Sequence, residues 1–481
     1  MKINYNLTLD EILNCTGGKT VIAGDGTTPF VFNEIFTDSR EIPPQREGVQ
    51  FSIFIAFKGK TFNGESFVDS VFKKGTPCAI VSWSFLEDYD ISDYPGKIII
   101  AVDDTVDAYG SIAKMYLSRF NLKKKIAITG SCGKTTTKDM VYKILSEKYG
   151  APAVLKNLYN FNNLLGVPKT ILELNANHEF LILEIGTNKK GEIKKLAEII
   201  SPDIGAITNI GKSHLLEFKD LEGVLEEKFA LVSSLKENAY LVLNADDEML
   251  GGKYPTAPGV NFLSFGFGQK KGADIVCGNI GYERDYTSLL IGLKGKKYPA
   301  NVKFKGDHLI YDFLCALLIS YICGTDIGSG IKALENFDLP SGRMQIINAP
   351  AKEYVLINDT YNSNPDSLKA SLNSINVYYP DKKKILVLGD MLELGDSSEA
   401  EHFNAGQEAA NFADYIFYKG DYYDNVKEGL LKAGFDAGKL FLFDDKDIFE
   451  EKFLKLDKKN SVVLVKGSRG MKLEKYFNFN T

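Results

Sequence analysis

The sequence predicts a mixed α/β protein with three domains. Its 481 residues would make about three domains of ordinary size. Hydrophobic residues make up 44% of the chain and charged residues 25%, as in a typical globular protein. From Lys123 onward, short apolar runs alternate with amphipathic runs, which indicates βαβ units and a parallel sheet. The expected domains are residues 1–102, 103–338 and 339–481, and the first should be a small α/β domain.

The composition excludes several classes of protein. The chain has 57 Lys and Arg against 63 Asp and Glu, and its net charge of −6 argues against a non-specific nucleic-acid binder. The same balance rules out a disordered, collagen-like or coiled-coil chain. The first residues lack the basic and apolar regions of a secretory leader, and no apolar run approaches the ~20 residues of a membrane span. Six cysteines without a CxxC pair predict neither a disulfide framework nor a zinc site, so we expect a reduced, cytoplasmic protein.

Hydrophobic periodicity predicts the individual elements. The first hundred residues mix short apolar stretches, such as 51–57 and 78–81, with glycine and proline. In the central segment, strands are predicted at 126–129, 180–185 and 204–208, and helices at 135–149, 193–200, 221–235 and 308–322. Residues 258–305 are glycine-rich and strand-like, which predicts an added antiparallel β region. In the last segment, strands are predicted at 354–359, 384–389, 414–418 and 462–467, with helices between them.

The strongest functional signal is the run Thr129-Gly130-Ser131-Cys132-Gly133-Lys134-Thr135, which joins a predicted strand to a predicted helix. Its glycines allow backbone N–H groups to approach phosphate oxygens, and the helix N-terminus adds partial positive charge. Lys134 would reach the β- and γ-phosphates of a nucleotide, and the Thr135 hydroxyl would bind Mg²⁺. Residue 128 is isoleucine, so the longer spacing GxxxxGK[ST] is not met. The alternative is a glycine-rich turn that binds nothing, which the Gly-Lys-Thr sequence disfavours.

Four further features are candidates on weaker grounds. Glu184 ends an apolar strand, where ligands of open α/β sheets bind, so it could hold Mg²⁺, orient a nucleophile or cap the next helix. His214 follows the next strand and could ligate a metal, although a loop histidine is more often structural. From spacing alone, Lys228 is predicted to be a solvated charge on a helix. The asparagine-rich run 157–163 suits base edges, sugar hydroxyls and turns equally well.

Longer motifs extend through all three expected domains. They are TDSR and FKGKTFNGESF in the first domain; ITGSCGKTTTKDM, NFNNLLGVPKTIL, EIGTNKKGEI and PDIGAITNIGKSHLLEF in the second; and SGRMQ, NDTYNSNPDS, LGDMLELG and VKGSRGMKLE in the third. Together these motifs resemble the Mur ligase family, whose phosphate loop has the shorter form TG-x-x-GKT. The resemblance implies a central domain with a P-loop ATPase-like parallel sheet and a Rossmann-like C-terminal domain.

The resemblance also implies roles for residues at matching positions. The residues expected to bind ATP are Gly130, Ser131, Cys132, Gly133, Lys134, Thr135, Thr136, Asn162, Asn163, Asp312, Arg343 and Asp359. The expected Mg²⁺ ligands are Thr135, Glu184, His214 and Lys228, the last as an N-carbamate; Lys134, Glu184, His214 and Lys228 form the catalytic set. The residues expected to bind substrates are Ser39 and Arg40 for the uridine diphosphate, and Asn362, Asn364, Lys466 and Arg469 for an incoming dipeptide. The chain departs from the family at Asp312, where an Asn would contact adenine, and at Phe229-Ala230, where Gly-Glu is common after the lysine.

The implied activity is that of an ATP-dependent acid–D-amino-acid ligase. It would join D-alanyl-D-alanine to UDP-N-acetylmuramoyl-tripeptide through an acyl phosphate, in the synthesis of peptidoglycan precursors. NDTYNSNPDS with LGDMLELG favours this activity, and the Asp-Asn-Pro-Arg motif of the diaminopimelate-adding relative is absent. We expect a monomer that binds ATP and Mg²⁺ but neither nucleic acid nor membrane.

Other functions remain open at this point. They are a Mur ligase that adds a single amino acid, a folylpolyglutamate-synthetase-like ligase, a P-loop kinase or switch protein, and a scaffold without activity. The TDSR segment disfavours the folate enzyme, and the additional α/β segment predicted at 354–467 disfavours a kinase. The presence of Lys134, Glu184 and His214 disfavours an inactive scaffold. The sequence does not decide whether the third residue of the stem peptide is lysine or diaminopimelate.

Overall fold

The computed structural model describes residues 1–23, 31–43, 51–59, 62–158, 160–251, 259–268, 272–283, 286–347, 353–477 and 479. Two residues of the motif at 57–67, Lys60 and Thr61, lie outside the described residues, as does Tyr159 of the asparagine-rich run. The chain folds as two compact units. The first unit comprises residues 1–127, 152–187 and 192–202, and the second comprises 128–151, 188–191 and 203–481.

The N-terminal part of the first unit is built on a six-stranded sheet. Its strands are β1 (Lys2–Thr8), β2 (Lys19–Ala23), β3 (Val31–Phe36), β4 (Ser52–Ile55), β5 (Cys78–Ser82) and β6 (Lys97–Val102). Its helices are α1 (Leu9–Thr16), α2 (Val68–Lys73), α3 (Phe85–Asp88) and α4 (Thr105–Leu117). The strand order is β1-β3-β4-β5-β6-β2, in which β3 to β6 are parallel and the two edge strands are antiparallel to their neighbours. β4, β5 and β6 are nearly continuous apolar runs because the residues on both of their faces are buried.

The rest of the first unit contains two parallel strands, the start of a third strand and two helices. Its elements are the start of β7 (Lys124–Thr129), then β8 (Val154–Lys156), α6 (Gly166–Ile171), β9 (Phe180–Glu184) and α7 (Glu192–Ile200), while α5 (Lys134–Tyr149) belongs to the second unit. β8 and β9 are parallel. On α7 the side chains of Ile193, Leu196, Ala197 and Ile200 are buried, which confirms the apolar face predicted from their spacing.

The second unit contains a further set of parallel and antiparallel strands with four helices. Its elements are β10 (Ile204–Ile207), α8 (Leu215–Phe218), α9 (Leu221–Phe229), β11 (Tyr240–Asn244), β12 (Asn261–Gly266), β13 (Ile275–Tyr282), β14 (Thr287–Leu293), β15 (Lys296–Val302), α10 (Asp307–Ile322) and α11 (Ile327–Leu334). β10 to β13 are parallel neighbours, and β13, β14 and β15 are antiparallel, which confirms the added antiparallel region. The α-helix predicted to reach residue 235 ends at Phe229. A 3₁₀ turn follows it, in which the Ser233 hydroxyl donates to the carbonyl of Ala230 at 2.8 Å.

A third sheet forms the C-terminal part of the second unit. Its elements are β16 (Gln345–Ile347), β17 (Val355–Asp359), α12 (Pro365–Tyr378), β18 (Lys383–Gly389), α13 (Ser398–Ala410), β19 (Tyr415–Lys419), α14 (Tyr423–Lys432), β20 (Leu440–Leu442), α15 (Lys446–Lys455) and β21 (Ser461–Lys466). The order β16-β17-β21-β18-β19-β20 is parallel except at β16. An aromatic cluster that includes Phe417, Phe443, Phe449 and Phe453 packs on this sheet. The α/β fold class and the alternating strands and helices predicted at 354–467 are therefore confirmed.

Two further predictions concern bilayers and cysteines. In the part of the chain that the structure describes, no helix has both the length and the apolar character needed to cross a bilayer. All six cysteines lie in that part, and none of them forms a disulfide there.

Candidate active site

The loop between β7 and α5 has a backbone that requires glycine at two positions. Gly130 and Gly133 have φ values of +148° and +83°. A Cβ atom at Gly130 would lie 1.9 Å from Thr208 Oγ1, and one at Gly133 would lie 2.0 Å from Asp312 Oδ1. Glycine therefore provides both the conformation and the space. Because Gly133 directly precedes the 16-residue helix α5, the first N–H groups of that helix lie at the end of the loop, where they can bind an anion.

Two cations lie against this phosphate loop. Lys134 folds back over it, and its Nζ donates to the carbonyl oxygens of Gly130 at 2.7 Å and Ser131 at 3.2 Å. Arg343 Nη2 donates to the hydroxyl of Thr135 at 2.7 Å. The Arg343 guanidinium carbon lies 4.1 Å from the ring centroid of Tyr361, and this cation–π contact helps to fix its direction. The loop thus combines positive charge with helix N–H groups, which is the environment that a triphosphate needs.

Residues 209–214, which we call the linking loop, pack directly on the phosphate loop. The carbonyl of Asn209 accepts from the N–H of Ser131 at 3.0 Å, and its Oδ1 accepts from the N–H of Cys132 at 2.8 Å. The Ser131 hydroxyl donates to the carbonyl of Gly211 at 3.0 Å and accepts from the N–H of Gly211 at 2.8 Å. These bonds tie the two loops together, and the spacing of the sequence motifs gave no indication of them.

His214 ends the linking loop in a left-handed conformation, with φ of +53°. Its Nδ1 lies 2.8 Å from Oε2 of Glu393, and the hydrogen bond with His214 lowers the pKa of Glu393. His214 therefore has the hydrogen-bonded role that is common for a loop histidine. A carboxylate on Nδ1 also leaves a histidine suitably oriented to bind a metal through its other nitrogen. Glu393 lies in LGDMLELG, but nothing in that motif singled it out as the partner of His214.

Lys228 is buried on α9, with 3% of its surface exposed. Burial, and secondly the charge of Lys134, lower its pKa to about 7. The prediction from helical spacing that Lys228 is a solvated charge is therefore wrong. A lysine with this pKa has a large neutral fraction near pH 7, and the neutral amine is the form that can react with carbon dioxide. The adjacent Glu227 does not point to solvent either, because its Oε2 accepts from the N–H of Gly191 at 2.6 Å.

Glu184 lies in the first unit, at the carboxyl end of β9, and is 2% exposed. Its Oε1 accepts from Asn162 Nδ2 at 2.8 Å. The side chain of Asn157 bonds to both the N–H and the C=O of Glu184, at 2.9 and 2.8 Å. Asn163 makes a turn, because its Oδ1 accepts from the N–H groups of Leu165 and Gly166. The asparagine-rich run thus serves turns, and it also fixes the carboxylate of Glu184.

A buried ion pair lies between the ends of β17 and β21. Lys466 Nζ is 2.6 Å from Asp359 Oδ2, and the same oxygen accepts from the hydroxyl of Ser371 at 2.7 Å. Lys466 also donates to the carbonyl of Asn362 at 3.2 Å. The charge of Lys466 is therefore largely compensated within the fold. Arg469, which follows β21, is exposed, and its guanidinium carbon lies 5.2 Å from the ring centroid of Tyr361.

Asn364 and Asp312 are held against the phosphate loop. Asn364 caps α12 by accepting from the N–H of Ser367 at 2.8 Å, and its Nδ2 lies 3.4 Å from Cys132 Sγ. Asp312 on α10 is 4% exposed, and its Oδ1 accepts from the Thr137 hydroxyl at 3.4 Å. Burial raises the pKa of Asp312 well above its ordinary value. The carboxyl group of Asp312 is therefore packed at the start of α5, against Gly133.

Ser39 and Arg40 lie in the first unit, in a short 3₁₀ turn. Arg40 is exposed and forms an ion pair with Asp38 at 2.6 Å. Hydrogen bonds from the side chain and then the backbone of Arg40 lower the pKa of Asp38 to about 2. The carbonyl of Ser39 accepts from Lys74 Nζ at 2.7 Å. Arg40 in this turn and Lys74 beside it thus place two cationic side chains close together, which suits a diphosphate.

The second unit thus brings together most of the residues predicted from the sequence to act on ATP. These are Gly130 to Thr136, His214, Lys228, Asp312, Arg343 and Asp359. The remaining members of that group, Asn162, Asn163 and Glu184, lie together in the first unit. Among the described residues, no three His, Cys, Asp or Glu side chains converge in the manner of a metal site.

The chain is similar to known proteins over almost its whole length. Residues 128–320 match the Mur ligase middle domain, and residues 342–469 match the Mur ligase glutamate ligase domain. The UDP-N-acetylmuramoyl-tripeptide--D-alanyl-D-alanine ligase of Bacillus subtilis is 32% identical over 458 residues, which cover 95% of this chain and 94% of the relative. The crystal structure of MurF from Acinetobacter baumannii superposes with a TM-score of 0.85 at 27% identity, covering 99% of this chain and 98% of that one. The MurF ligase of Thermotoga maritima in complex with ADP has a TM-score of 0.79 at 27% identity, covering 92% and 96%.

Proposed function

The chain belongs to the Mur ligase family, and we propose that it is the ligase that joins D-alanyl-D-alanine to UDP-N-acetylmuramoyl-tripeptide in peptidoglycan precursor synthesis. The observation that carries the proposal is the similarity, over 95% of the chain, to a Bacillus subtilis ligase of that name. The intact phosphate loop and the similarity to a ligase structure with bound ADP support ATP as the nucleotide. Neither a folate-type ligase nor a kinase has a comparable observation in its favour.

The first chemical step activates a carboxylate. A carboxylate is a poor electrophile toward an amine, so an oxygen of the tripeptide carboxylate attacks the γ-phosphorus of ATP, and the bond from that phosphorus to the β–γ bridging oxygen breaks. This step gives an acyl phosphate and ADP. Lys134, Arg343 and the N-terminal N–H groups of α5 neutralise the charge that moves onto the phosphate oxygens.

We assign Mg²⁺ to Thr135, Glu184, His214 and Lys228. The hydroxyl and carboxylate supply the hard oxygen donors that Mg²⁺ prefers, and an N-carbamate on Lys228 would supply another. Two observations support the carbamate: the amine of Lys228 is buried, and its pKa is about 7. The ion would supply positive charge to the phosphate oxygens.

In the second step the amine of D-alanyl-D-alanine attacks the acyl carbon, and after loss of a proton from nitrogen the bond to phosphate breaks. Lys466 is already paired with Asp359, so the exposed Arg469 is better suited to receive the terminal carboxylate of the dipeptide. Asn362 and Asn364 are polar groups near the same strand ends. Ser39 and Arg40 are assigned to the uridine diphosphate.

Each of the three segments of the chain is assigned to one substrate. We assign residues 1–102 to the nucleotide-sugar, 103–338 to ATP and 339–481 to the dipeptide. We place the reaction in the cytoplasm, where ATP is available, and propose a monomer. The six cysteines form no disulfide among the described residues, which agrees with a reducing compartment.

One assay tests the proposed function. Phosphate release from ATP should require both UDP-N-acetylmuramoyl-tripeptide and D-alanyl-D-alanine, and the product should have the mass of the joined molecule. Phosphate release that is independent of either substrate would contradict the proposal.

A further inference from the structure

Lys212, in the middle of the linking loop, is held by two helices at once. Its backbone N–H donates to Asp366 Oδ2 at 2.7 Å, and Asp366 lies in the first turn of α12. Its Nζ lies 2.6 Å from Glu401 Oε1 on α13. The Glu401 side chain is 11% exposed and that of Lys212 is 39% exposed, so the ion pair is partly shielded from water. We call this arrangement of Lys212, Asp366 and Glu401 the clasp.

The clasp lies one residue from the bonds that hold the phosphate loop. Gly211 exchanges two hydrogen bonds with the hydroxyl of Ser131, at 2.8 and 3.0 Å. A Cβ atom at Gly211 would lie 2.4 Å from Asp366 Oδ2, so the carboxylate is packed directly on this backbone. A short path of contacts therefore runs from the start of α12 through Gly211 to Ser131 in the phosphate loop.

We infer that Asp366 and Glu401 are positioning residues, which act through Lys212 and the linking loop to hold the phosphate loop in its reactive form. Neither carboxylate acts on the nucleotide directly. A hydrogen-bond acceptor is what the clasp needs at position 366, because its partner is a neutral N–H group. At position 401 it needs a carboxylate, because its partner is an ammonium group.

Two variants of Asp366 distinguish its two possible roles, binding of the dipeptide and positioning of the linking loop. If its charge faced the incoming dipeptide, loss of that charge would change dipeptide binding, and Asp366→Asn would resemble Asp366→Ala. If it positions the linking loop, Asp366→Asn keeps an acceptor for the N–H of Lys212 and preserves function, whereas Asp366→Ala does not. The kinetic difference rests on the proposed ligase function, but the hydrogen-exchange difference below does not.

The first measurement is hydrogen exchange by mass spectrometry on the full chain without substrates. Asp366→Ala and Lys212→Met should increase exchange in peptides that cover residues 130–134 and 209–214. Asp366→Asn and the control Glu399→Gln, an exposed carboxylate on the same helix as Glu401, should leave it unchanged. Lys212→Met is the second variant in case Asp366→Ala does not fold, since the lysine side chain is partly exposed. Unchanged exchange in both disruptive variants would overturn the inference.

The second measurement is steady-state kinetics with the two substrates and ATP. Asp366→Ala and Lys212→Met should lower kcat by about tenfold with the KM for the dipeptide within about twofold, because the reacting groups are misplaced rather than unbound. Asp366→Asn should keep kcat within about twofold of the unmodified protein. A rise in the KM for the dipeptide at constant kcat, in both Asp366 variants, would overturn the inference by showing that the charge binds substrate. A protein with no ligase turnover would refute the proposed function, while the exchange result would still decide on the clasp.

Discussion

At the scale of single residues, burial changes the chemistry of Lys228 from that of an ordinary cation to that of a reactive amine. The side chain is 3% exposed, and its pKa is lowered to about 7 by burial and by the charge of Lys134. Residue spacing on α9 could not predict the burial and the lowered pKa of Lys228, because they depend on distant parts of the chain such as Lys134. The chemistry of the position therefore depends on the fold, whereas that of the phosphate loop is visible in seven consecutive residues.

The pKa of Lys228 gives a direction for the effect of pH. Below about pH 7 the ammonium form dominates and cannot take up carbon dioxide, and above it the neutral amine dominates. We expect bicarbonate to stimulate turnover increasingly as pH rises through about 7. Initial rates in bicarbonate-free and bicarbonate buffers will check this, together with ¹³C NMR of protein in labelled bicarbonate. Equal stimulation in a Lys228→Ala variant would contradict the assignment.

Small carboxylic acids provide a second test of Lys228. Lys228→Ala should lose turnover by about 10²-fold or more, and formate or acetate should restore part of it by replacing the missing anion. Lys134→Ala, tested with the same acids, is the matched control and should not be rescued. Absence of rescue, with density or mass showing a bare amine in the unmodified protein, would defeat the carbamate.

Lys134 should be required for turnover but not for folding. Its Nζ donates to two carbonyls of the phosphate loop, and these hydrogen bonds would also be lost when the lysine binds a phosphate. We therefore expect Lys134→Ala to remain folded without them. The variant should lose a factor of about 10² to 10³ in kcat, since it lacks a cation in the transition state. Phosphate release measured alongside a circular-dichroism melt separates the two effects. Turnover close to that of the unmodified protein would refute the role of Lys134.

Gly133 should be intolerant of a side chain for two reasons. Its φ is +83°, and a Cβ atom would lie 2.0 Å from Asp312 Oδ1. Gly295, in the turn between β14 and β15, has a similar φ of +77° but no atom within 4 Å of its Cβ position. Gly133→Ala should therefore abolish turnover and cost about 1–3 kcal/mol more unfolding free energy than Gly295→Ala. Equal costs in denaturant titrations would show that the contact with Asp312 is unimportant.

At the scale of elements, the start of α12 has two structural tasks. Asn364 caps the helix, and its amide nitrogen lies 3.4 Å from Cys132 Sγ in the phosphate loop. Asn364→Ala should lower stability by about 1 kcal/mol, whereas Asn364→Asp keeps the cap. Chemical denaturation measures this difference. A destabilisation of similar size in both variants would mean that the contact with Cys132, rather than the cap, contributes the stability.

Elements with clear local signals, such as an apolar run or a helix that follows a glycine loop, could be predicted from the sequence, and contacts between distant elements could not. The helix predicted at 135–149 begins one residue earlier, and the strand predicted at 462–467 is observed at 461–466. In contrast, the acceptor of the Lys212 N–H is Asp366, 154 residues away. No local pattern encodes such a pairing, because it depends on how helices of the second unit pack. The helix of Lys228 ends at Phe229 and continues as a 3₁₀ turn, a change of helix type that hydrophobic periodicity does not reveal.

At the scale of the whole molecule, we expect the choice of amine substrate to distinguish this chain from Mur ligases that add a single amino acid. We expect D-alanyl-D-alanine to be ligated, and free D-alanine, L-lysine and meso-diaminopimelate to be rejected. The chain has Asp366 after Pro365, where the Asp-Asn-Pro-Arg motif expected of a diaminopimelate-adding ligase would place an Arg, and Asp366 accepts a hydrogen bond from the N–H of Lys212. A distal carboxylate would therefore find no cation at this position and would remain unpaired. Competition between the four amines at equal concentration, read by product mass, measures the preference.

The central claim is that one chain couples ATP cleavage to formation of an amide bond with a dipeptide. The measurement that tests it most directly follows phosphate release and product mass in the same reaction, with each substrate omitted in turn. The account predicts one phosphate released per joined product, and background release when either UDP-N-acetylmuramoyl-tripeptide or D-alanyl-D-alanine is absent. Phosphate release without product, or a product formed equally well with lysine or diaminopimelate in place of the dipeptide, would contradict it.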